Sequence, residues 1–278
     1  MQTFQSFPSG QGGPGMPVFV SCGPGLILFL HGILSKTWYK NAKMYDKQVA
    51  FTALAYYVSD FKLEENVPDR KEFVAVLAER HGEEIQARIK KGVAGVMGLG
   101  GLGSAVAVAL VRIGIGKLLL ADYDVVELSN LNRQYYFADQ IGLPKTVALR
   151  DTLLRINPYV CLETINERLS EERIPLLFQG VDVLVECFDD PVMKPAALRV
   201  ALTALKGVGF VGASGMAGFG DNNRIVTRRI HPRVYLVGDG EAEVGPNQGL
   251  MAPRVGIAAH HQANQVLRLL LGVDEESE

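Results

Sequence analysis

Gly92-Val-Ala-Gly-Val-Met97 runs directly into Gly98-Leu-Gly-Gly-Leu-Gly103, and an apolar run over 105–113 follows. A short continuous apolar run bounded by turn residues reads as a buried strand, and the longer run after it reads as a helix. The glycines between them have G-x-G-x-x-G spacing. In such a turn Gly98 allows the tight bend, Gly100 lets the backbone approach phosphate oxygens, and Gly103 lets the helix pack on the strand. Working outward, 79–90 has a charged helical pattern and Lys117–Ala121 reads as a second strand. Lys145–Ile156 reads as a helix stopped before Pro158. Further strands are expected at 160–165, 181–186 and 209–212, with helices at 171–178 and 191–206 between them. Runs at 224–230 and 234–237 look like antiparallel additions, and a closing helix begins near Pro253 and ends at Leu271. Strands alternating with helices predict an α/β fold: a Rossmann-like, doubly wound, mainly parallel sheet with antiparallel strands added near the C-terminus.

The second informative stretch is Asp122-Tyr-Asp-Val-Val-Glu-Leu-Ser-Asn-Leu-Asn-Arg-Gln134. Asp122 closes the second strand, where an acid can hold a ribose hydroxyl. A glycine-rich turn without a ligand is the plainer alternative, but the strand before, the helix after and the spaced acid favour a nucleotide. The polar cluster Asn130, Asn132, Arg133 and Gln134 then points to activation chemistry on that nucleotide more than to redox chemistry. Transfer of a phosphoryl or adenylyl group needs cations on the oxygens that gain charge. Arg133 offers a planar fork and Lys145 a point charge. Solvated loop charges are the bland reading of this pair. Asp189 and Asp190 follow the fourth strand at its carboxyl end, where ligands bind in open α/β sheets. Asp189 is expected to hold Mg²⁺ and Asp190 to cap the next helix ahead of Pro191. Cys187 sits in an apolar strand and reads as a buried structural thiol. His260 and His261 read as packing or end-of-site residues, and His231 as structural.

The chain has 278 residues, 48% of them hydrophobic, and a formal net charge of -2. That balance lacks the basic stripe nucleic-acid binding would need, so no nucleic-acid partner is expected. Cys22, Cys161 and Cys187 are too few and too far apart for a disulfide framework or a four-ligand zinc site. Leu26-Ile-Leu-Phe-Leu-His-Gly-Ile-Leu34 is too short to span a bilayer. Residues 1–24 contain no Lys or Arg to precede a secretory signal core. A cytoplasmic protein without a membrane partner is expected. Residues 1–24 are Gly-, Pro- and Ser-rich and look disordered; 1–70 reads as a poorly defined extension, or as an over-long reading frame starting truly at Met44 or later. The functional domain is expected over 71–278, its acidic Asp-Glu-Glu-Ser-Glu end solvated.

GLGGLG, LADYDVVELSNLNRQ, GLPK and ECFDD together resemble the ubiquitin-activating-like superfamily, in particular the bacterial ThiF/MoeB adenylyltransferases. The tail VGDGEAEVGPNQGLMAPRVGIAAHHQAN, with ASGMAGFG before it, resembles the short ThiF-type branch that activates the sulfur carrier ThiS in thiamine biosynthesis. The resemblance covers about residues 78–272. It implies ATP-dependent adenylation of the C-terminal glycine of a small β-grasp carrier ending in Gly-Gly, with release of pyrophosphate, by a homodimer. Carried over by motif, Gly98, Gly100 and Gly103 would line ATP and Asp122 would hold the ribose. Asn130, Arg133 and Lys145 would contact the triphosphate, and Asp189 would bind Mg²⁺. Arg80 is a candidate for an arginine supplied to the partner's site, although its spacing is off. The sequence departs from the family pattern in three ways. It lacks the paired C-x-x-C zinc site, so no zinc is expected. It has Asp189-Asp190 where Asp-Asn is usual. No cysteine follows Gly212, so adenylation without a covalent enzyme–carrier bond is expected.

Other readings stay open. A nicotinamide oxidoreductase could use the same glycine loop, but Ser129-Asn-Leu-Asn-Arg-Gln134 has no obvious use there. The acceptor could be a molybdopterin-type or cysteine-synthesis carrier, a peptide C-terminus or a tRNA base. A non-catalytic docking protein would not need Arg133, Lys145 and Asp189. The acceptor's tail would enter between the sheet edge and the loops at 215–223 and 245–249.

Overall fold

The computed structural model describes residues 67–245 and 248–273. The expectations for residues 1–24, 26–34, Met44, Cys22 and the acidic end lie outside the described residues. The described residues from Pro68 onward form one compact unit.

Its centre is a seven-stranded sheet. The strands are β1 (Val93–Met97), β2 (Lys117–Ala121), β3 (Cys161–Ile165), β4 (Val183–Glu186), β5 (Gly209–Ala213), β6 (Val226–His231) and β7 (Val234–Gly238), in spatial order β3-β2-β1-β4-β5-β7-β6. The apolar runs of β1, β2, β4 and β5 form strands buried on both faces because helices cover both sides of the sheet, as a parallel sheet requires. Register aligns Met97 with Ala121 on one side and with Glu186 on the other. The carboxyl ends of the central strands therefore lie at one edge.

β6 alone runs antiparallel; β7 pairs with β5 in parallel, Phe210 opposite Val234. The two late strands thus form the expected antiparallel pair, joined to the parallel sheet through β7. The chain crosses from β5 to the outer position, lays down β6, turns at Pro232-Arg233 and returns as β7 between the two. Arg233 takes a left-handed φ of 63° to make that turn.

The helix expected over 79–90 is two helices. α1 (Arg70–His81) ends where Gly82 takes φ 90°, and α2 (Glu83–Ile89) follows. α1 starts nine residues earlier than its pattern suggests. Asp69 caps it by accepting from the Glu72 amide at 2.8 Å, but the helix has no buried residue and so no apolar stripe to read. α3 (Gly101–Arg112), by contrast, buries nine residues against the sheet. α4 (Lys145–Ile156), α5 (Ile174–Leu177), α6 (Met193–Thr203) and α7 (Ala252–Leu271) complete the described helices. Pro195 is tolerated in the first turn of α6, where its missing N–H has no helical acceptor. α7 packs across α3 and the carboxyl half of the sheet. From it Gln262, fully buried, donates to the carbonyls of Glu186 at 3.0 Å and Val211 at 3.3 Å. Its amide joins the two strands where the β4–β5 ladder ends at Val185–Val211. No helix among the described residues is long and apolar enough to cross a membrane.

Candidate active site

The aligned strand ends open onto a cleft of about 280 Å³. Gly98, Gly100, Asp122, Arg133, Lys145 and Asp189 all line it, drawn from segments far apart in sequence.

The glycine loop is fixed from three sides. Asp122 Oδ2 accepts from the Leu99 amide at 2.6 Å, Tyr136 donates its hydroxyl to the Leu99 carbonyl at 2.7 Å, and Ser104 Oγ donates to the Gly100 carbonyl at 2.6 Å. Burial, with Asp122 and Asp124 nearby, pushes the Tyr136 hydroxyl far above its ordinary range, so it stays a donor. Gly98 has φ 86°, and a Cβ there would lie 2.8 Å from the Cys187 carbonyl oxygen. A Cβ on Gly103 would lie 1.9 Å from the Gly98 oxygen. Gly103 is therefore needed for helix packing, and it is not among the residues that line the cleft. Gly100 is different. Its φ is -73° and its ψ -149°, and a Cβ there would meet only Gln134 Nε2, at 3.8 Å. Protein packing does not require glycine at 100, and a side chain would fill cleft space beside the start of α3. The amides there and the helix dipole favour an anion.

The expected site residues divide in their placement. Asp122 lines the cleft with both oxygens engaged, Oδ1 accepting from the Asp124 amide at 2.8 Å. A carboxylate has further lone pairs, so a ribose hydroxyl can still be accepted. Arg133 donates through Nη1 to Asn132 Oδ1 at 2.8 Å and the Ser129 carbonyl at 3.2 Å. Its Nε, and Oε1 of neighbouring Gln134, are buried without a partner among the described residues. Lys145 is buried and pairs with Asp124 Oδ2 at 2.8 Å. Two of its ammonium protons remain for another acceptor. Asn130 does not line the cleft. Its Oδ1 accepts from the Glu127 amide at 3.0 Å, closing the 3₁₀ turn of the loop that carries Arg133.

Asp189 is exposed in the cleft and makes no hydrogen bond or ion pair among the described residues. Asp190 accepts from the Val192 amide at 2.8 Å, but the residue capping α6 is Val192. The cap expected at Asp190 is displaced because Pro191 and Val192 form a turn before the helix.

Sequence reading missed two pairs. Lys194, in the first turn of α6, lines the cleft and donates to Glu186 Oε1 and to the Ala213 carbonyl, both at 2.9 Å. Burial pushes the Glu186 carboxyl up; Lys194 and the Phe188 and Ala213 amides oppose that shift. The pair ties the ends of β4 and β5 to α6. The other is Arg254 with Asp239, at 2.5 Å, both buried. Neither pair has a local sequence signature.

Cys187 is buried, its thiol within 3.8 Å of Gln262 Oε1, and burial pushes its pKa far up, as befits an inert thiol. His261 contacts Thr227 Oγ1 at 3.1 Å, His260 the Gly256 carbonyl at 2.7 Å and His231 the Pro232 carbonyl at 3.3 Å, all local or packing contacts. Arg80 is exposed in the last turn of α1.

Comparison with known proteins agrees with this architecture. Molybdopterin-synthase adenylyltransferase of Salmonella typhimurium is 33% identical over 181 residues, covering 63% of this chain and 71% of that protein. Ubiquitin-like modifier-activating enzyme 5 of Caenorhabditis elegans is 49% identical over 83 residues, covering 30% of this chain and 20% of that protein. Among solved structures, the tRNA N6-threonylcarbamoyladenosine dehydratase TcdA of E. coli in complex with ATP has the same fold. Its TM-score is 0.64 at 22% identity, over 73% of this chain and 95% of that one. The chain is an enzyme of the adenylyltransferase class. The model of the ThiF family matches residues 74–278, and with the glycine loop, Arg133, Lys145 and Asp189 gathered on one cleft, this chain belongs to the ThiF family.

Proposed function

We propose that the enzyme adenylates the C-terminal carboxylate of a small β-grasp sulfur-carrier protein ending in Gly-Gly, using ATP and Mg²⁺. It would act in the cytoplasm as a homodimer. The observation that carries this reading is the convergence of a glycine loop, two cations and an unengaged carboxylate on one cleft. Asp122 is assigned to the ribose. The open space beside Gly100 and the amides at the start of α3 are assigned to the phosphates. The unpartnered Arg133 Nε is the further donor that an anionic ligand would satisfy.

The chemistry follows from these groups. An ionised carboxylate needs no base: its oxygen attacks the α-phosphorus, a P–O bond forms, and the bond to pyrophosphate breaks with its electrons leaving on that group. Lys145 and Arg133 stabilise the charge that grows on the phosphate oxygens, and the loop holds the reactants in line. The exposed, unengaged Asp189 fits a Mg²⁺ ligand, since that ion commonly takes one or two protein carboxylates. When bound there, the ion would neutralise phosphate charge. No cysteine takes part in this reading, and no zinc.

A ThiS-like carrier of thiamine thiazole synthesis is the first assignment, supported by the resemblance of the C-terminal segment. A molybdopterin-type carrier is the second, favoured by the 33% identity to molybdopterin-synthase adenylyltransferase. The test is ATP–pyrophosphate exchange with each purified carrier, with Arg133→Ala as control. Exchange that needs a carrier and Arg133 supports the reading, and the preferred carrier assigns it. Absence of exchange with every Gly-Gly carrier, despite ATP binding, refutes it.

A further inference from the structure

A second cleft of about 590 Å³ adjoins the first, and Ala217, Ala242 and Val244 line both. Its walls come from two stretches, 217–224 after β5 and 239–245 after β7. Gly218 and Gly220 leave the first wall low, and Phe219 is 81% exposed on it. The second wall turns on Asp239, whose Oδ1 accepts from the amides of Glu241 and Ala242, both at 2.8 Å.

One side chain ties both walls to α7. Arg254 Nη1 donates to the carbonyls of Gly220 at 2.7 Å and Asp221 at 3.0 Å, while Nη2 donates to Asp239 Oδ2 at 2.5 Å. Arg254 is 4% exposed, lines the cleft, and its Nε has no partner among the described residues. The position is unfavourable in itself. A cation in the first turn opposes the helix dipole, and burying a charge requires compensating contacts. The value of Arg254 therefore lies in what it joins, for a planar fork spans two loops where an ammonium cannot.

We infer that Arg254 and Asp239 are positioning residues that hold the two walls of this groove at the spacing that admits the acceptor's extended C-terminal segment. This rests on the adenylation reading. The pair sets affinity for the acceptor and leaves nucleotide binding untouched, since its hydrogen bonds run to the walls of the second cleft and neither residue lines the first.

The experiment compares wild type, Arg254→Lys, Arg254→Met and Asp239→Asn in ATP–pyrophosphate exchange. The probes are a β-grasp carrier ending in Gly-Gly and a short peptide with the same ending. Asp239→Asn keeps the oxygen that caps Glu241 and Ala242 and alters only the atom facing Arg254, so it carries the test if Arg254→Met does not fold. Expected is a rise of about tenfold or more in acceptor KM, with kcat and the KM for ATP within about twofold of wild type. Arg254→Lys should fall between wild type and Arg254→Met. The double variant Arg254→Met/Asp239→Asn should be no worse than the weaker single, because both break one contact. Unchanged acceptor KM in both Arg254→Met and Asp239→Asn overturns the inference alone. So does an equal loss in kcat and ATP affinity, which marks a general structural role. Wild type inactive with both probes overturns the adenylation reading, and the inference falls with it.

Discussion

Lys145 holds Asp124 twice: its Nζ lies 2.8 Å from Asp124 Oδ2, and its amide donates to the Asp124 carbonyl at 2.9 Å. A buried cation is thereby aimed from the first residue of α4 into the cleft, with the segment after β2 as its anchor. Lys145→Met removes the charge itself and should lower kcat for exchange by about 100-fold, the size of effect seen for a lost oxyanion donor. Asp124→Asn removes only the partner and should cost about tenfold. Steady-state exchange kinetics check the order; equal losses would mean that Asp124 touches substrate.

Gly100 and Gly103 should separate ligand space from packing space. Gly100→Ala is expected to cost at most about 1 kcal/mol of stability, the scale of a weakened N-cap, yet to weaken ATP binding about tenfold or more. Gly103→Ala would place its Cβ 1.9 Å from the Gly98 oxygen, and should destabilise by about 3 kcal/mol or prevent folding. Thermal melts beside calorimetric ATP titration distinguish the two. An unaltered ATP affinity in Gly100→Ala would place the phosphates elsewhere.

Asp189→Asn should leave the melting temperature near that of wild type, because the carboxylate makes no hydrogen bond or ion pair among the described residues. Exchange should then need much more Mg²⁺, with the half-saturating concentration rising about tenfold. A Mg²⁺ titration of exchange rate reads this directly; a parallel titration curve would remove Asp189 as the ligand.

A variant with Cys22, Cys161 and Cys187 all replaced by alanine should retain adenylation. Cys187 is buried and its thiol is pushed away from the thiolate form, while Cys161 sits on β3 outside the cleft lining. Mass spectrometry of the reaction should show carrier adenylate and no carrier thioester to enzyme. Loss of adenylate in the triple variant would return a cysteine to the mechanism.

Acid should weaken the Arg254–Asp239 tie. Burial opposes ionisation of Asp239, but the Ala242 and Glu241 amides and Arg254 outweigh it and hold the carboxyl below its ordinary range. A depressed folded-state pKa gives stability that is present above the unfolded value of about 3.9 and lost as pH falls through the folded value. At pH 7 Asp239→Asn should therefore be less stable than wild type by about 1–3 kcal/mol. The gap should close as pH falls below about 4. Paired melting curves across pH measure it, and a gap independent of pH contradicts the assignment. Glu186, whose carboxyl burial pushes up, works in the opposite sense, its ionised form being the one the fold penalises.

Much of this was legible in sequence where the signal is local. Lys117–Ala121 and Lys145–Ile156 have the boundaries their patterns predict, because an apolar run and a periodic helix ended by Asn157-Pro158 depend on nothing distant. Gly98, Gly100, Asp122, Arg133, Lys145 and Asp189 were likewise legible and reach one cleft. What escaped depends on the third dimension. α1 has no apolar stripe. Lys194–Glu186 and Arg254–Asp239 join strand ends to helix starts. Only the folded chain brings them together.

The amide of Gln262 has a consequence for the order in which the protein is made. It serves carbonyls on β4 and β5, yet it belongs to the last described helix, synthesised after every strand. A nascent chain can pair its strands early, but this tie between the ends of β4 and β5 forms only once α7 has been translated and docked. The same helix brings Arg254 to the groove. Nucleotide cleft and groove thus reach their final form together, once α7 has been made, and a ribosome-bound chain halted before residue 252 would carry the phosphate loop without a working enzyme.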